Sequence, residues 1–231
     1  MEIIDGPFGL RFVKIEASEI YLGTDKGAWV YASERPRHRV SLPSFMIMKE
    51  PITESQYSMI LGEEGNSEEL KDMITNDDVK KISDILSQHF DEEVRRPTQS
   101  EWKAAEGVIS LPCGWTELLA DEATGNHRGA SLDGRPRIGE MIGPMAGHRV
   151  SQSAHPTKEG VYAQVATPGD RPLPKVGFRL VVSPKREGDN PRVPDNANLS
   201  SNIRSEIFWT TILGIIPSFT IPVLRGFSSY A

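Results

Sequence analysis

The fold is decided by the stretch Arg96-Pro97-Thr98-Gln99-Ser100-Glu101-Trp102-Lys103-Ala104-Ala105-Glu106. Thr98 is a good helix N-cap, because its hydroxyl can accept a hydrogen bond from the free amides of the first turn. Glu101, three residues later, completes a capping box. Trp102 and Ala105 would then share one face of the helix, where the small alanine permits close packing. The stretch therefore predicts a short helix that buries Trp102.

The composition of the whole chain bounds its class. Its 231 residues, of which 38% are hydrophobic and 25% charged, suit a soluble globular domain with appendages. The formal net charge of -6 and the lack of a basic stripe argue against nucleic acid as a partner. The single cysteine, Cys113, excludes an internal disulfide and favours a reducing compartment. The acidic first six residues do not resemble a secretory signal.

The central stretch also resembles the formylglycine-generating enzyme family, the sulfatase-modifying factors. Members of this family carry R-L-P-T-E-A-E-W-E-x-A-A-R, and the matching residues here are Arg96, Pro97, Thr98, Glu101, Trp102, Ala104 and Ala105. Further family landmarks follow in the expected order: E-x-P-x-H-x-V at residues 34–40, P-V-T-x-x-x-Y at 51–57, a degraded G-N-V-W-E-W-x-x-D at 113–121, R-G-G-S at 128–131 and V-G-F-R-L-V at 176–181. The resemblance covers residues 8 to 183.

The resemblance implies an α+β fold of the C-type-lectin-like type, rich in loops, with short strands and a few helices. We expect this domain to occupy residues 1–183. Within it, Thr53 and Gln56 predict a second capping box, and Asn76 is expected to cap a helix that runs to about Phe90. The segment from 62 to 75 is expected to be partly helical, and residues 133–175, rich in Gly and Pro, to be built from loops.

The catalytic features of the family are not carried over. Its active members hold copper with a pair of cysteines late in the domain, because soft thiolates bind Cu(I), and this sequence has no cysteine after Cys113. The Asn of G-N-V-W-E-W, which belongs to the family's calcium site, is also absent. The five histidines lack metal-ligand spacing. The sequence therefore predicts no catalytic residue, no cofactor and no metal site.

Four residues are candidates for binding a partner. Trp29 lies in the loop after Gly23, and aromatic loop residues are enriched at interfaces. A place in the core is the alternative for this side chain. Arg128, Arg135 and Arg137 form a basic run that would suit an acidic partner, and an ordinary solvated loop surface is the alternative for them.

The C-terminal part of the chain changes character twice. Residues 184–206 are polar and rich in Pro and Asn, which predicts an extended linker. Residues 207–224 contain no charge, and as a helix these 18 residues would reach ~27 Å, close to the ~30 Å hydrocarbon core of a bilayer. We expect a single transmembrane anchor over residues 207–225 that contacts lipid through Ile207, Phe208, Trp209, Ile212, Leu213, Ile215, Ile216, Phe219, Ile221, Val223 and Leu224.

The same segment has an alternative interpretation. Pro217 and Pro222 oppose a straight span, although proline is tolerated better in membrane helices than in soluble ones. A short apolar segment can also pack into a groove of its own domain or of a partner. The excess of Lys and Arg before residue 207 over the single Arg225 beyond the segment would place the folded domain on the cytoplasmic side of the membrane.

Three functions are compatible with these patterns. The first is a non-catalytic, membrane-anchored accessory or structural subunit that binds an integral membrane protein or a membrane complex. The second is a sulfatase-modifying-type oxidase that acts on a protein cysteine. The third is a lectin-like domain that binds a small ligand through the loops of residues 123–170. The missing cysteine pair and the apolar C-terminus favour the first.

Overall fold

The computed structural model describes residues 3–25, 33–139 and 142–228. The chain divides into two compact units. The first unit comprises Met1–Ile20, Arg39–Thr124 and Ser131–Pro191, and the second unit comprises Tyr21–His38, Gly125–Ala130 and Arg192–Ala231.

The secondary structure is mixed, as the family resemblance predicts. The strands are β1 (Ile3–Asp5), β2 (Arg11–Ile15), β3 (Ser18–Leu22), β4 (His38–Leu42), β5 (Phe45–Met48), β6 (Glu93–Arg95), β7 (Thr116–Glu122), β8 (His148–Ala154), β9 (Tyr162–Pro168), β10 (Val176–Gly177) and β11 (Val181–Ser183). The helices are α1 (Glu54–Leu61), α2 (Asn76–Leu86), α3 (Gln99–Ala105), α4 (Leu199–Thr210) and α5 (Ile216–Ser228), and a π-helical segment (Thr211–Ile215) joins the last two.

The strands form three small sheets. One has five antiparallel strands in the order β1-β2-β5-β11-β6, and β3 pairs with β4 in a second. The third has the order β10-β7-β8-β9, in which only β10 and β7 run parallel. The core of the first unit lies under the five-stranded sheet and includes Phe12, Ile52, Ile82 and Phe178, which are all fully buried.

Three helices of the first unit begin with the same local device. Thr53 and Thr98 each cap a helix through a reciprocal capping box, as predicted. The prediction for α2 was wrong by one residue, because the cap is Thr75, whose hydroxyl accepts the Asp78 N–H while the Asp78 carboxylate accepts the Thr75 N–H. A capping box needs a side-chain acceptor three residues after the cap, and Asp78 supplies it for Thr75. Asn76 is therefore the first residue of the helix and not its cap.

Other expectations about regular structure were also wrong. No helix forms between Gly62 and Thr75, and α2 ends at Leu86 instead of near Phe90. Residues 133–175 are not built from loops alone, since they contain the seven-residue strands β8 and β9. These strands carry few apolar side chains, and β8 buries Ser151 and Gln152 beside Val150, so the alternation that marks a half-buried strand is absent.

The predicted closing strand over residues 176–181 is divided between two sheets. Val176 and Gly177 form β10 beside β7, and Val181 begins β11 between β5 and β6. The intervening residues include Arg179, whose side chain is fully buried. The backbone therefore passes from one sheet to the other at the point where this arginine enters the core.

The second unit ends in a long helix. It begins at Leu199, so the last part of the predicted linker is helical. The domain boundaries 1–183, 184–206 and 207–225 otherwise stay a prediction. Before the helix, Val193 is held between two backbone hydrogen bonds of 2.9 Å, one to the carbonyl of Ala130 and one from the N–H of Gly129. Helix residues Leu199–Gly226 are long enough and apolar enough to cross a membrane.

Candidate functional site

The capping box of α3 is part of a buried ion pair. The Glu101 carboxylate accepts the Thr98 N–H at 2.8 Å and two guanidinium N–H groups of Arg95 at 2.7 and 2.8 Å. Burial raises the pKa of Glu101, but the charge and the hydrogen bonds of Arg95 outweigh it and hold the pKa below its usual range. This carboxylate is therefore ionised and fixes the start of the helix.

This pairing corrects the alignment made from sequence. Counted from Pro97, the arginine of R-L-P-T falls at Arg95 and its leucine at Arg96. The spacing of the family string thus assigns its arginine to Arg95, the residue that pairs with Glu101. Arg96 stands where the string has an apolar residue.

A second buried network surrounds Trp102. Its indole Nε1 donates to the Glu117 carboxylate at 3.1 Å, and Arg179 Nε donates to the same carboxylate at 2.6 Å. The other guanidinium nitrogens of Arg179 donate to the carbonyl oxygens of Met48, Lys49 and Ser110. Because Glu117 and Arg179 are fully buried, these charges serve the core and not a substrate.

Arg96 lies at the start of α2 beside a second arginine. Arg96 Nη2 and Arg149 Nε both donate to the Asn76 side-chain oxygen, at 2.9 and 3.1 Å. Burial and the nearby charge of Arg149 lower the pKa of Arg96 to about 9. Within the described residues, the buried Nη1 of Arg96 has no hydrogen-bond partner. Within the described part of the chain, Arg96 is thus a buried charge that no carboxylate in contact with it neutralises.

Asp121 connects the first residue of α3 to the loop that contains Arg137. Its carboxylate accepts the backbone N–H of Gln99 at 2.6 Å and that of Arg137 at 2.7 Å. Burial raises the pKa of Asp121 above its usual range although both hydrogen bonds lower it. The Arg137 predicted for partner binding therefore has a structural backbone contact here.

The other candidates for partner binding lie in different settings. The Arg135 guanidinium donates to Asp133 at 2.8 Å and to the carbonyl oxygens of Gly188 and Asp189, so it fastens a loop of the first unit. Arg128 belongs to the second unit and lines a cavity there. Trp29 lies outside the described residues. Partner binding by these four residues stays a prediction.

The cavity of the second unit has a volume of about 240 Å³. Its lining combines two arginines, two asparagines and a glutamate with apolar side chains: Arg35, Gly125, Asn126, Arg128, Leu199, Asn202, Ile203 and Glu206. Of these residues, only Arg128 was predicted from the sequence as a binding residue. The spacing of Leu199, Asn202, Ile203 and Glu206 on one helix face was the available signal, and the prediction of an extended linker concealed it.

A cavity of the same volume in the first unit has a different character. It is lined by Arg11, Met48, Glu50, Pro51, Thr53, Gln56, Glu68 and Leu70. Arg11 and Glu50 already pair across 3.2 Å, and Gln56 and Thr53 are engaged in the capping box of α1. Its polar groups are thus largely occupied by one another.

The C-terminal helix exposes its apolar side chains. Phe219 is 72% exposed, Leu224 67% and Ile207 62%, and no residue of its most apolar window is buried. Three hydroxyls of the segment donate to carbonyl oxygens one turn earlier: Thr211 to Ile207, Ser218 to Gly214 and Thr220 to Ile216. These polar side chains are therefore satisfied inside the helix, which is what an apolar solvent requires.

One of the two proline residues lies beside the irregular part of this helix. Pro217 is the second residue of α5 and follows directly on the π-helical segment, whose wider turn leaves room for a residue without an N–H. Pro222 lies within α5. The helix therefore continues through both prolines, and the local widening lies just before Pro217.

The residues present do not fit the copper chemistry of the family. That chemistry needs two thiolates, whereas the sequence contains only Cys113, a half-buried residue in the turn before β7. Across residues 3–25, 33–139 and 142–228, no group of three or more His, Cys, Asp or Glu side chains is arranged to hold a metal ion.

Comparisons with known proteins agree with the fold. The chain is similar in structure to PvdO from Pseudomonas aeruginosa, with a TM-score of 0.59 at 14% sequence identity over 79% of this chain and 98% of that one. It is also similar to variable protein 1 of Treponema denticola, with a TM-score of 0.54 at 15% identity over 79% of this chain and 99% of that one. The sequence matches no curated protein.

The assignment to a family rests on the sequence. Residues 10–178 match the family described as the sulfatase-modifying factor enzyme 1-like domain. This match spans most of the chain and includes every family landmark except the last residues of the closing strand. The two structural similarities, at such low identity, support the fold alone. The chain belongs to the sulfatase-modifying factor enzyme 1-like family.

Proposed function

We propose that this chain is a non-catalytic member of its family, anchored in a membrane by its C-terminal helix, and that it acts as an accessory or structural subunit of a membrane protein complex. The exposed apolar side chains of the C-terminal helix are the observation that carries the proposal. A row of such side chains in water would be a strong liability, whereas lipid or an apolar partner would stabilise it.

The single-pass topology has further support in the segment itself. Arg204 and Arg225 bracket the apolar residues, and Trp209 lies near one end, where interfacial aromatics are enriched. The hydroxyls of Thr211, Ser218 and Thr220 are satisfied within the helix. The excess of basic residues on the domain side favours a cytoplasmic location for the folded domain.

The absence of catalysis is proposed because the thiolate pair cannot be formed. A single cysteine cannot supply the two soft ligands that hold Cu(I) in the family. The buried carboxylates Glu101 and Glu117 are engaged with arginines of the core, so they do not offer an alternative acid–base site.

Membrane extraction tests the anchor. Full-length protein should remain in the membrane fraction after carbonate and high-salt washes, and a chain that ends at Ser205 should be released. Full-length protein recovered in the soluble fraction without detergent would overturn the proposal. Purification in mild detergent should then recover a stoichiometric membrane-protein partner, and recovery of the protein alone would contradict the accessory role.

A separate assay tests the absence of catalysis. Purified full-length protein is incubated with copper, oxygen and a peptide that carries the substrate cysteine of the family. We expect the peptide mass to stay unchanged. Appearance of formylglycine in the mass spectrum would show an oxidase and refute this part of the proposal while leaving the anchor intact.

A further inference from the structure

We propose that the cavity of the second unit binds the head group of a phospholipid, with the phosphate held by Arg35 and Arg128 and a hydrogen-bond donor of the same head group held by Asn202 and Glu206. The inference rests on the proposed membrane anchor, since the same helix lines the cavity and continues into the apolar segment. It adds a ligand to that anchor.

The charges of the lining favour a phosphate. Two arginines against one glutamate leave an excess of one positive charge among the lining side chains. Guanidinium groups match the oxygen atoms of a phosphate in geometry, and hydrogen bonds between such charged groups are stronger than neutral ones. The nearly complete burial of Arg35, which is 2% exposed, keeps this interaction away from competing water.

The acceptors of the lining require a second group on the ligand. Asn202 is 5% exposed, and its side-chain oxygen has no hydrogen-bond partner within the described part of the chain. A buried acceptor without a partner is costly, so a ligand that donates to it is favoured. Together with the Glu206 carboxylate, the Asn202 oxygen suits the ammonium of an ethanolamine or the hydroxyl of a glycerol. Inorganic phosphate could bind the arginines but would leave these two acceptors without a donor.

The size of the cavity agrees with a head group. About 240 Å³ lies below the ~300 Å³ at which pockets for drug-sized ligands begin. Leu199 and Ile203 contribute apolar surface to the lining and are nearly half exposed, so the cavity is open on their side. The remainder of a lipid would leave the cavity past these two side chains.

The position of the cavity along the helix matches the depth of head groups in a bilayer. Leu199, Asn202, Ile203 and Glu206 follow the spacing of one helix face. Glu206 directly precedes Ile207, and Asn202 lies five residues, or ~7.5 Å, before it. The head-group layer extends ~5–8 Å beyond the hydrocarbon core on each side. A helix that enters the bilayer at Ile207 therefore places the cavity in this layer.

Native mass spectrometry of full-length protein in detergent tests the site. The probes are short-chain phosphatidylethanolamine, phosphatidylglycerol and phosphatidylcholine, each with and without excess inorganic phosphate. We expect one equivalent of the ethanolamine or glycerol lipid to bind at least tenfold more tightly than the choline lipid, which lacks a strong donor. Arg128→Gln and Asn202→Leu should each weaken this binding at least tenfold.

A matched control lies on the same helix. Arg204 is exposed and does not line the cavity, so Arg204→Gln should bind the lipids like the wild type. Equal weakening by Arg204→Gln and Arg128→Gln, or equal binding of all three lipids, would overturn the site. Complete displacement of the lipid by inorganic phosphate at similar concentration would identify free phosphate as the ligand and overturn the role of the head group.

The measurement separates this site from the anchor. Lipid binding in detergent does not depend on insertion, and membrane extraction does not depend on the cavity. Loss of lipid binding with retention in the carbonate-washed membrane overturns only the head-group site. Release of the full-length protein by carbonate overturns the anchor, whatever the lipid binding.

Discussion

The core of the first unit and the C-terminal helix arrange apolar and polar groups in opposite ways. In the core, Trp102 is 1% exposed, and the carboxylates of Glu101 and Glu117 are paired with arginines. In the helix, Phe219 is 72% exposed, and the polar hydroxyls bond back to the helix's own backbone.

The difference is the one that the proposed membrane anchor requires. A domain in water buries its apolar side chains and satisfies the few charges that it buries. A helix with apolar side chains outside and hydroxyls turned inward follows the requirement of lipid, where backbone and side-chain polar groups have no external partner. The stability of the folded domain should therefore depend on the core and be indifferent to the surface of the helix.

The largest expected difference compares two aromatic substitutions. Trp102→Ala removes a buried indole and its hydrogen bond to Glu117, and should lower the free energy of unfolding by about 3–5 kcal/mol. Phe219→Ala should lower it by less than about 0.5 kcal/mol. Chemical denaturation of the full chain in detergent, followed by circular dichroism, measures both. Similar losses for the two variants would break the comparison and would place Phe219 in a packed core.

Glu101→Gln should lower the free energy of unfolding by about 2 kcal/mol at pH 7, because the charge-assisted hydrogen bonds to Arg95 are lost. This loss should depend on pH. The folded-state pKa of Glu101 is lowered, so its contribution is present above the unfolded pKa of ~4.3 and is lost as the pH falls through the folded value. The difference in stability between wild type and Glu101→Gln should thus shrink below pH ~4. A difference that stays constant down to pH 3 would contradict the ion pair.

A smaller effect is expected at the cap of α3. Thr98→Ala removes the hydroxyl that accepts the Glu101 N–H, and should cost about 1 kcal/mol. Thr98→Ser keeps the hydroxyl and should cost clearly less. Equal losses of stability for Thr98→Ala and Thr98→Ser would mean that the effect comes from the buried γ-methyl group of Thr98 and not from its capping hydroxyl.

The short-range features of the fold could be predicted from sequence. The capping boxes at Thr53 and Thr98 depend on residues three positions apart, and the family landmarks carry the order of the strands. The apolar C-terminal helix was visible because eighteen uncharged residues are rare in a soluble chain.

The long-range features could not be predicted. The partners of Arg179 lie in three distant parts of the chain, and β8 buries polar side chains that have no apolar pattern. The cavity of the second unit also joins residues from three separate segments, so local spacing could indicate only the four lining residues that the helix contributes. The one-residue error between Arg95 and Arg96 arose because two adjacent arginines are equivalent in a pattern and differ only in what they contact.

These two adjacent arginines provide the last test of the comparison. Arg95 is paired with Glu101, whereas Arg96 is buried beside Arg149 and, among the described residues, its Nη1 has no hydrogen-bond partner. Among the described residues of the first unit, Arg96 therefore differs from Arg95 in being a buried charge without a carboxylate partner, and the family string has leucine at its position.

Replacing Arg96 with the leucine of the family string should stabilise the first unit. Arg96→Leu removes the cost of a buried guanidinium and its repulsion by Arg149, and Asn76 still accepts a hydrogen bond from Arg149. We expect a gain of up to about 1 kcal/mol, because the smaller side chain also leaves some space unfilled. Arg95→Leu, the matched control, should instead cost about 3 kcal/mol by leaving Glu101 buried without its partner. Both are measured by chemical denaturation at pH 7. A loss of stability in Arg96→Leu would show that the hydrogen bond of Arg96 to Asn76 and the packing of its side chain outweigh the cost of burying its charge, and it would contradict this prediction.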